Sequence, residues 1–153
     1  VADAIVKNSG KIGTLGHGYT YMGHPVAAAV ALETLKIYEE RDIMAHIGEI
    51  APQMQARLQS YADHPMVGEV RGVGLVGALE FVKDKATKES YDPAGKVGAY
   101  LVDRAKDHGL ILRNIVDSVA FSPPLIISGK ELDSVFDRFD KALEETMPFA
   151  AGL

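Results

Sequence analysis

Apolar residues along this chain change period several times, and each change marks an element. Residues 1 to 15 are polar and lysine-bearing, with two glycines, and close on Ile12-Gly13-Thr14-Leu15; they predict no regular element. Pro25 then opens an alanine-rich helix, at the one helical position where a missing N–H costs nothing. It runs to about Tyr38 and ends on the solvated Glu39-Glu40-Arg41, with Ala27, Ala28 and Ala31 as a small face that another backbone can approach closely. Ile43, Ile47, Ile50, Met54, Leu58 and Tyr61 continue at helical spacing. Pro52 interrupts them and predicts a kink or break near Gly48.

From Met66 the period falls to two. Val67, Glu69 and Arg71 alternate with Val70, and Leu75, Gly77, Leu79 and Phe81 alternate with Ala78 and Glu80. These predict two strands joined around Gly72-Val73-Gly74. A charged loop fills 83 to 95. A helix over about 94 to 107 carries Val97, Tyr100, Leu101 and Ala105 on one face and stops at Gly109. Leu110-Ile111-Leu112 predicts a short strand, and Ile115 to Phe121 another, closed by Ser122-Pro123-Pro124. Ser128 and Glu131 have the spacing of a capping box, so the last helix starts there and buries Leu132, Val135, Phe136, Phe139 and Leu143. The fold class is α+β: a short, mostly antiparallel sheet covered by helices on one side.

Composition narrows the function classes. At 153 residues the chain is long enough for a sizeable core, and 47% apolar with 24% charged residues is ordinary for a globular protein. The net charge of −5, with both signs interspersed, gives no footprint for nucleic acid or a membrane surface. No cysteine is present, which excludes disulfides, thiolate catalysis and Cys-ligated zinc, and fits a cytoplasmic setting. No apolar run reaches the ~20 residues that span a bilayer, and no secretory pattern opens the sequence.

The most informative stretch is Gly16-His17-Gly18-Tyr19-Thr20-Tyr21-Met22-Gly23-His24-Pro25, leading into the first helix. A glycine-rich loop with free N–H groups and one hydroxyl suits an anion such as phosphate. Thr20 either grips that anion or caps the turn. Gly72-Val73-Gly74-Leu75-Val76-Gly77 matches the dinucleotide pattern G-x-G-x-x-G. That pattern requires the last glycine inside a helix opening, whereas Ala78 to Val82 continue as strand, so the glycines are turn residues. The histidines His17, His24, His46, His64 and His108 form no metal pair; the seven-residue spacing of His17 and His24 predicts turn-shaping donors. Arg71 and Glu80 predict a structural salt bridge across the strand pair.

Three segments together resemble one family. Gly18 to Pro25 is similar to the G-[YF]-T-Y-S-G-H-P segment of class III (omega-amino acid) aminotransferases, with Met22 where serine is usual. Val70-Arg71-Gly72-Val73-Gly74-Leu75 followed by Glu80 resembles the family's V-R-G-x-G-L and glutamate. Gly109-Leu110-Ile111-Leu112-Arg113 and Phe121-Ser122-Pro123-Pro124-Leu125 resemble the closing strands of its small domain. The resemblance covers nearly the whole chain. It implies the C-terminal portion of a fold-type-I enzyme dependent on pyridoxal 5'-phosphate, with residues 1–40 as the tail of the large domain and 41–153 as the small domain.

That resemblance assigns cofactor-phosphate binding across a homodimer interface to Thr20, with Tyr19 beside it; an aromatic at Tyr19 serves interface packing equally well. It makes Arg113 the mobile arginine that pairs with a substrate carboxylate, a task suited to a planar bidentate donor. The bland alternative is a solvated arginine at a strand end. Residues 114 to 117 depart from the family's usual continuation. His24 disfavours the branches that make ornithine or glutamate semialdehyde, which more often carry G-N-P there. The implied reaction moves an amino group from an omega-amino acid or amine to a keto acid such as pyruvate.

Such catalysis needs a lysine that forms a Schiff base with the cofactor. Lys7 and Lys11 stand too close to Thr20, and no other lysine here has a suitable context, so the segment alone is expected to be inactive. The competing reading is a non-catalytic interaction or dimerisation module derived from a truncated aminotransferase. Reading the coding sequence upstream of Val1 separates the two. The enzyme reading expects an in-frame lysine roughly a dozen residues before Val1 by the family's spacing. A start codon abutting Val1 would leave the module.

Overall fold

The computed structural model describes residues 1–13 and 15–153; Thr14, in the polar opening segment, lies outside the described residues. The chain forms two compact units, Val1–Arg41 and Asp42–Leu153.

The first unit holds two helices. Helix α1 (Ala2–Ile12) occupies the stretch expected to be irregular. The polar residues that hid it fit the helix locally. Asp3 lies in the first turn and Lys11 in the last, matching the helix dipole. Asn8 Nδ2 donates to the Ala4 carbonyl at 2.8 Å, and Ser9 Oγ to that of Ile5 at 2.7 Å. Gly13, at φ 91°, ends the helix. Helix α2 (Pro25–Glu40) starts on Pro25 as expected and runs two residues past Tyr38, where Lys36 sits 3.5 Å from Glu40 and 3.8 Å from Glu33. No residue of α1 or α2 is buried.

The second unit is an α+β sandwich of three helices on one face of a four-stranded sheet. Its elements are α3 (Ile43–Gln59), β1 (Val67–Val73), β2 (Val76–Phe81), α4 (Lys96–Asp107), β3 (Arg113–Ile115), β4 (Ser118–Phe121) and α5 (Gly129–Ala150). The sheet order is β1-β2-β4-β3 and every pairing is antiparallel. Helix α3 continues through Pro52 without a break. Loss of the one hydrogen bond to Gly48 is outweighed because Ile43 on one side of the proline, and Met54 and Leu58 on the other, are buried.

Alternation along the strands decides which face is covered. Leu79 pairs with Val70 on one side and Val119 on the other, and Gly77 with Phe121. Leu79, Phe81, Val119 and Phe121 join Leu58, Leu101, Phe136 and Phe139 in one core. Phe121 stacks on Phe136 at 5.5 Å between ring centroids and meets Phe139 edge-on at 5.0 Å. The capping box is formed: Ser128 Oγ accepts from the Glu131 N–H, while the Glu131 carboxylate accepts from the Ser128 N–H at 2.9 Å.

Two strand expectations are corrected. Leu110 to Leu112 are not a strand, because the Leu110 N–H is still tied to the Ala105 carbonyl of α4 at 2.8 Å and the side chain is buried beneath the helix end. Nor is 115 to 121 a single strand. The chain turns at Val116-Asp117, so β3 and β4 form a hairpin. Neither turn residue is glycine, and Val116 adopts φ 56°, a left-handed conformation that a β-branched residue rarely takes. The one local turn signal, Asp117-Ser118, is outweighed by the apolar residues around it.

Polar side chains join the layers. Gln55 Nε2 of α3 donates to the Gly74 carbonyl at 2.8 Å and holds the β1–β2 turn. Asp140 of α5 accepts from both Arg57 and Tyr61, and the Arg57 guanidinium also lies over the Tyr61 and Phe136 rings at 5.4 and 5.6 Å. Burial, then the adjacent Asp140, push the Tyr61 hydroxyl far above its ordinary pKa, so it remains a donor throughout the usable range. Replacing Asp140 with Asn should lower the unfolding free energy by about 1–2 kcal/mol, because Arg57 keeps a neutral partner at best. Urea denaturation at neutral pH measures this.

His64 supplies a pH dependence. Its Nδ1 accepts the Met66 N–H at 3.3 Å, which requires the unprotonated nitrogen, and burial followed by the Lys85 charge lowers its pKa. With the folded value below the unfolded one, the unfolded chain takes up the proton first as pH falls through about 6.5. Stability is full above that range and declines below it. His64→Gln should flatten this slope in denaturation curves recorded between about pH 7 and 5.

Candidate functional site

The glycine-rich loop ahead of α2 contains a turn at 20–23, closed by the Met22 N–H on the Tyr19 carbonyl at 2.9 Å. Two features bear on what Thr20 can do. The turn is closed by backbone, and α2 is capped by His24, whose Nδ1 accepts the Ala27 N–H at 3.5 Å. Among the described residues neither the Thr20 hydroxyl nor its N–H has a hydrogen-bond partner, and the residue is exposed. The loop thus holds its shape without using Thr20, so hydroxyl and amide are both available to an anion. Gly23, at φ 76°, gives the chain the left-handed step that brings His24 to the helix end.

Tyr19 is 74% exposed, with its ring edge-on to His17 at 5.1 Å. Met22 stands where the related segment has serine, and its sulfur lies over Gly18, 3.6 Å from where a β-carbon there would be.

In the second unit, the uncovered face of the sheet carries the other chemistry. The register sets Arg71 opposite Ala78, Ala78 opposite Ala120, and Ala120 opposite Arg113. A row of two alanines therefore runs between two arginines, roughly 14 Å from end to end at the usual strand spacing. The two arginines differ in what holds them. Arg71 reaches Glu80 at 2.5 Å, Glu69 at 3.2 Å and the Ser118 hydroxyl at 3.2 Å. Hydrogen bonds to Glu80 and then Glu69 raise its pKa, and its charge is satisfied internally. The expected Arg71–Glu80 bridge is present, though diagonally, because Glu80 stands directly opposite Glu69.

Arg113 is exposed at the start of β3, and among the described residues no carboxylate lies within ion-pair distance of it. It edges a cleft of about 540 Å³ whose other walls include Leu110, Leu112, Ile115, Ala120, Pro123 and Val135. An apolar-walled cleft with one uncommitted guanidinium suits a molecule with a hydrocarbon spacer and a carboxylate.

The remaining sequence features have structural roles. Gly72 lies in β1, Gly74 in the turn and Gly77 in β2, so no helix opens on the G-x-G-x-x-G pattern. His24 accepts rather than donates. His46 Nε2 lies 3.0 Å from the Ile127 carbonyl, and His108 Nε2 2.9 Å from Glu145. Among the described residues no cluster of three His, Cys, Asp or Glu could hold a metal ion, and no helix is long and apolar enough to cross a membrane. Sequence reading passed over Asp117, a carboxylate only 6% exposed at the β3–β4 turn. Its one signal was an acidic residue inside an otherwise apolar run.

Thr20 and Tyr19 fall in one compact unit and Arg113 in the other. Each unit therefore carries one feature of its own suited to an anionic group: the glycine-rich loop in the first and an exposed arginine on the open sheet face in the second. Comparison with known proteins is more specific. Residues 2–143 match the family model for aminotransferase class-III. The chain is 43% identical over 146 residues to gamma aminobutyrate transaminase 3, chloroplastic, from Solanum lycopersicum. It is 45% identical over 147 residues to the putrescine–pyruvate aminotransferase of Pseudomonas aeruginosa. Each alignment covers 95% of this chain but only 28% and 32% of those relatives. A crystal structure of a thermostable omega transaminase 4-fold mutant from Pseudomonas jessenii superposes with a TM-score of 0.84 at 44% identity, over 97% of this chain and 33% of that one. The Pseudomonas jessenii omega transaminase in complex with PMP superposes with a TM-score of 0.85. The chain belongs to the class-III aminotransferase family, and it spans roughly a third of the length of these relatives.

Proposed function

We propose that these residues form the C-terminal part of a transaminase that uses pyridoxal 5'-phosphate to move an amino group from an omega-amino acid or amine to a keto acid such as pyruvate. The observation that carries this reading is the division of labour between the arginines: Glu69 and Glu80 hold Arg71, while Arg113 faces the cleft without a carboxylate partner among the described residues. Relatives that act on gamma-aminobutyrate and on putrescine with pyruvate support the substrate class.

When bound, the cofactor supplies an electron sink for the carbon that carries the amino group. The Thr20 hydroxyl and amide would hold its phosphate across the homodimer interface, with Tyr19 alongside. Arg113 binds and orients a substrate carboxylate in bidentate fashion and turns to solvent when the donor is an uncharged amine. The lysine that moves the proton is assigned to a segment outside these residues, so this segment alone should be inactive.

Apolar side chains exposed on α2, among them Val26, Val30, Leu32 and Leu35, support burial of that helix against further polypeptide, such as a second subunit in a homodimer with shared active sites. The same exposure is what a free-standing dimerisation module would show, and the upstream sequence distinguishes that case. A cytoplasmic location remains part of the proposal.

Thr20 provides the test. In the complete enzyme, Thr20→Ala should weaken cofactor affinity by about tenfold or more, the worth of a hydrogen bond to a charged group, whereas Thr20→Ser should retain it. Titration of the apoenzyme with pyridoxal 5'-phosphate, followed by absorbance, gives the affinity. Equal affinities for Ala and wild type would remove Thr20 from the site.

A further inference from the structure

We propose that Asp117 is the positioning residue for Arg113: it fixes which face of the sheet the guanidinium occupies. The inference rests on reading Arg113 as the carboxylate binder. Strand β3 has three residues and lies at the sheet edge, paired only with β4. Three paired residues offer few ladder bonds, and in a hairpin the turn fixes the register. A slip of one residue would move Arg113 from the open face to the covered one, because side chains alternate with period two.

The turn that sets this register is not held by its own backbone preference. Val116 adopts φ 56°, unfavourable for valine, so the free hairpin would relax away from this geometry. Asp117 locks it against α4. One carboxylate oxygen accepts the Gly95 N–H at 2.7 Å, and the other accepts the Gly98 N–H at 2.8 Å. The Asp117 carbonyl accepts the Phe81 N–H at 3.0 Å, and Asn114 Nδ2 donates to the Val116 carbonyl at 3.1 Å. The fit is close. A β-carbon at Gly98 would fall 2.4 Å from the Val116 carbonyl oxygen, so only glycine lets the turn seat there.

A carboxylate at the start of α4 is also what a helix cap would look like. The two roles separate by what else responds. If Asp117 acts through Arg113, its loss should affect substrates that carry a carboxylate and spare those that do not.

The experiment compares Asp117→Asn, Arg113→Gln and the double variant in the complete, cofactor-loaded enzyme. The donors are β-alanine and an uncharged aryl amine. Asp117→Asn keeps the shape but sets an NH2 against one of the two amides. It should raise KM for β-alanine by about tenfold, leave KM and kcat for the aryl amine near wild type, and add nothing to Arg113→Gln. Independently of activity, hydrogen exchange over residues 113–121 in the complete enzyme should accelerate in Asp117→Asn and be unchanged in Arg113→Gln. Equal losses with both donors, or additive effects in the double variant, would overturn the positioning role and leave a helix cap. Should Arg113→Gln itself show no preference between donors, the reading of Arg113 fails first and the proposal with it.

Discussion

Coverage of the sheet on a single face is the constraint from which the rest of the second unit follows. Helices α3, α4 and α5 bury Leu79, Phe81, Val119 and Phe121, so the residues between them in sequence must face the other way. Ala78, Glu80, Ser118 and Ala120 are placed outward by that alternation, with Arg71 and Arg113 at either end of the alanine row. The hydrophobic core thus positions the candidate site indirectly, through register. The register is in turn secured where each hairpin turns, by one polar side chain. Gln55 holds the β1–β2 turn to α3, and Asp117 holds the β3–β4 turn to α4. Both anchors act at the turns, which are what fix register in a hairpin.

The first unit follows a different logic. Its helices are formed by local means: a proline at the first position, the His24 cap, and i,i+4 pairs such as Lys36 with Glu40. None of their residues is buried, and Leu32 is 68% exposed. Two helices of this length held by caps alone would be marginal in water, since tertiary burial supplies most helical stability. On the proposed reading, the missing burial comes from the polypeptide that completes the enzyme, and the loop bearing Thr20 is presented where that polypeptide meets the cofactor. The two units therefore contribute different things: a loop that needs no internal use of its hydroxyl, and a sheet face that leaves one arginine uncommitted.

Elements with a strong periodic or capping signature were legible in the sequence. Pro25 marked the start of α2, Ser128 and Glu131 the start of α5, and the alternation from Val67 to Phe81 the first hairpin. The failures have a common cause. Helix α1 is masked by Lys7, Asn8 and Ser9; the last two bond to carbonyls one turn back, which polarity alone does not reveal. The β3–β4 turn is built from valine and aspartate, residues that carry no turn preference strong enough to outweigh the apolar run around them. Its geometry is imposed by α4, some twenty residues earlier in the chain.

Residue order by itself was enough for the family and the three residues to inspect, through the resemblance of three motifs, and for the α+β class and the buried faces of α3, α4 and α5, which depend on local spacing. It could not show that Arg71 is held by Glu69 as well as by the expected Glu80, or that Arg113 stands at an apolar-walled cleft. Nor could it show that Thr20 is left out of its own turn. Those distinctions depend on which groups are brought within hydrogen-bonding distance across long sequence separations, and only the packed sheet and helices fix those distances.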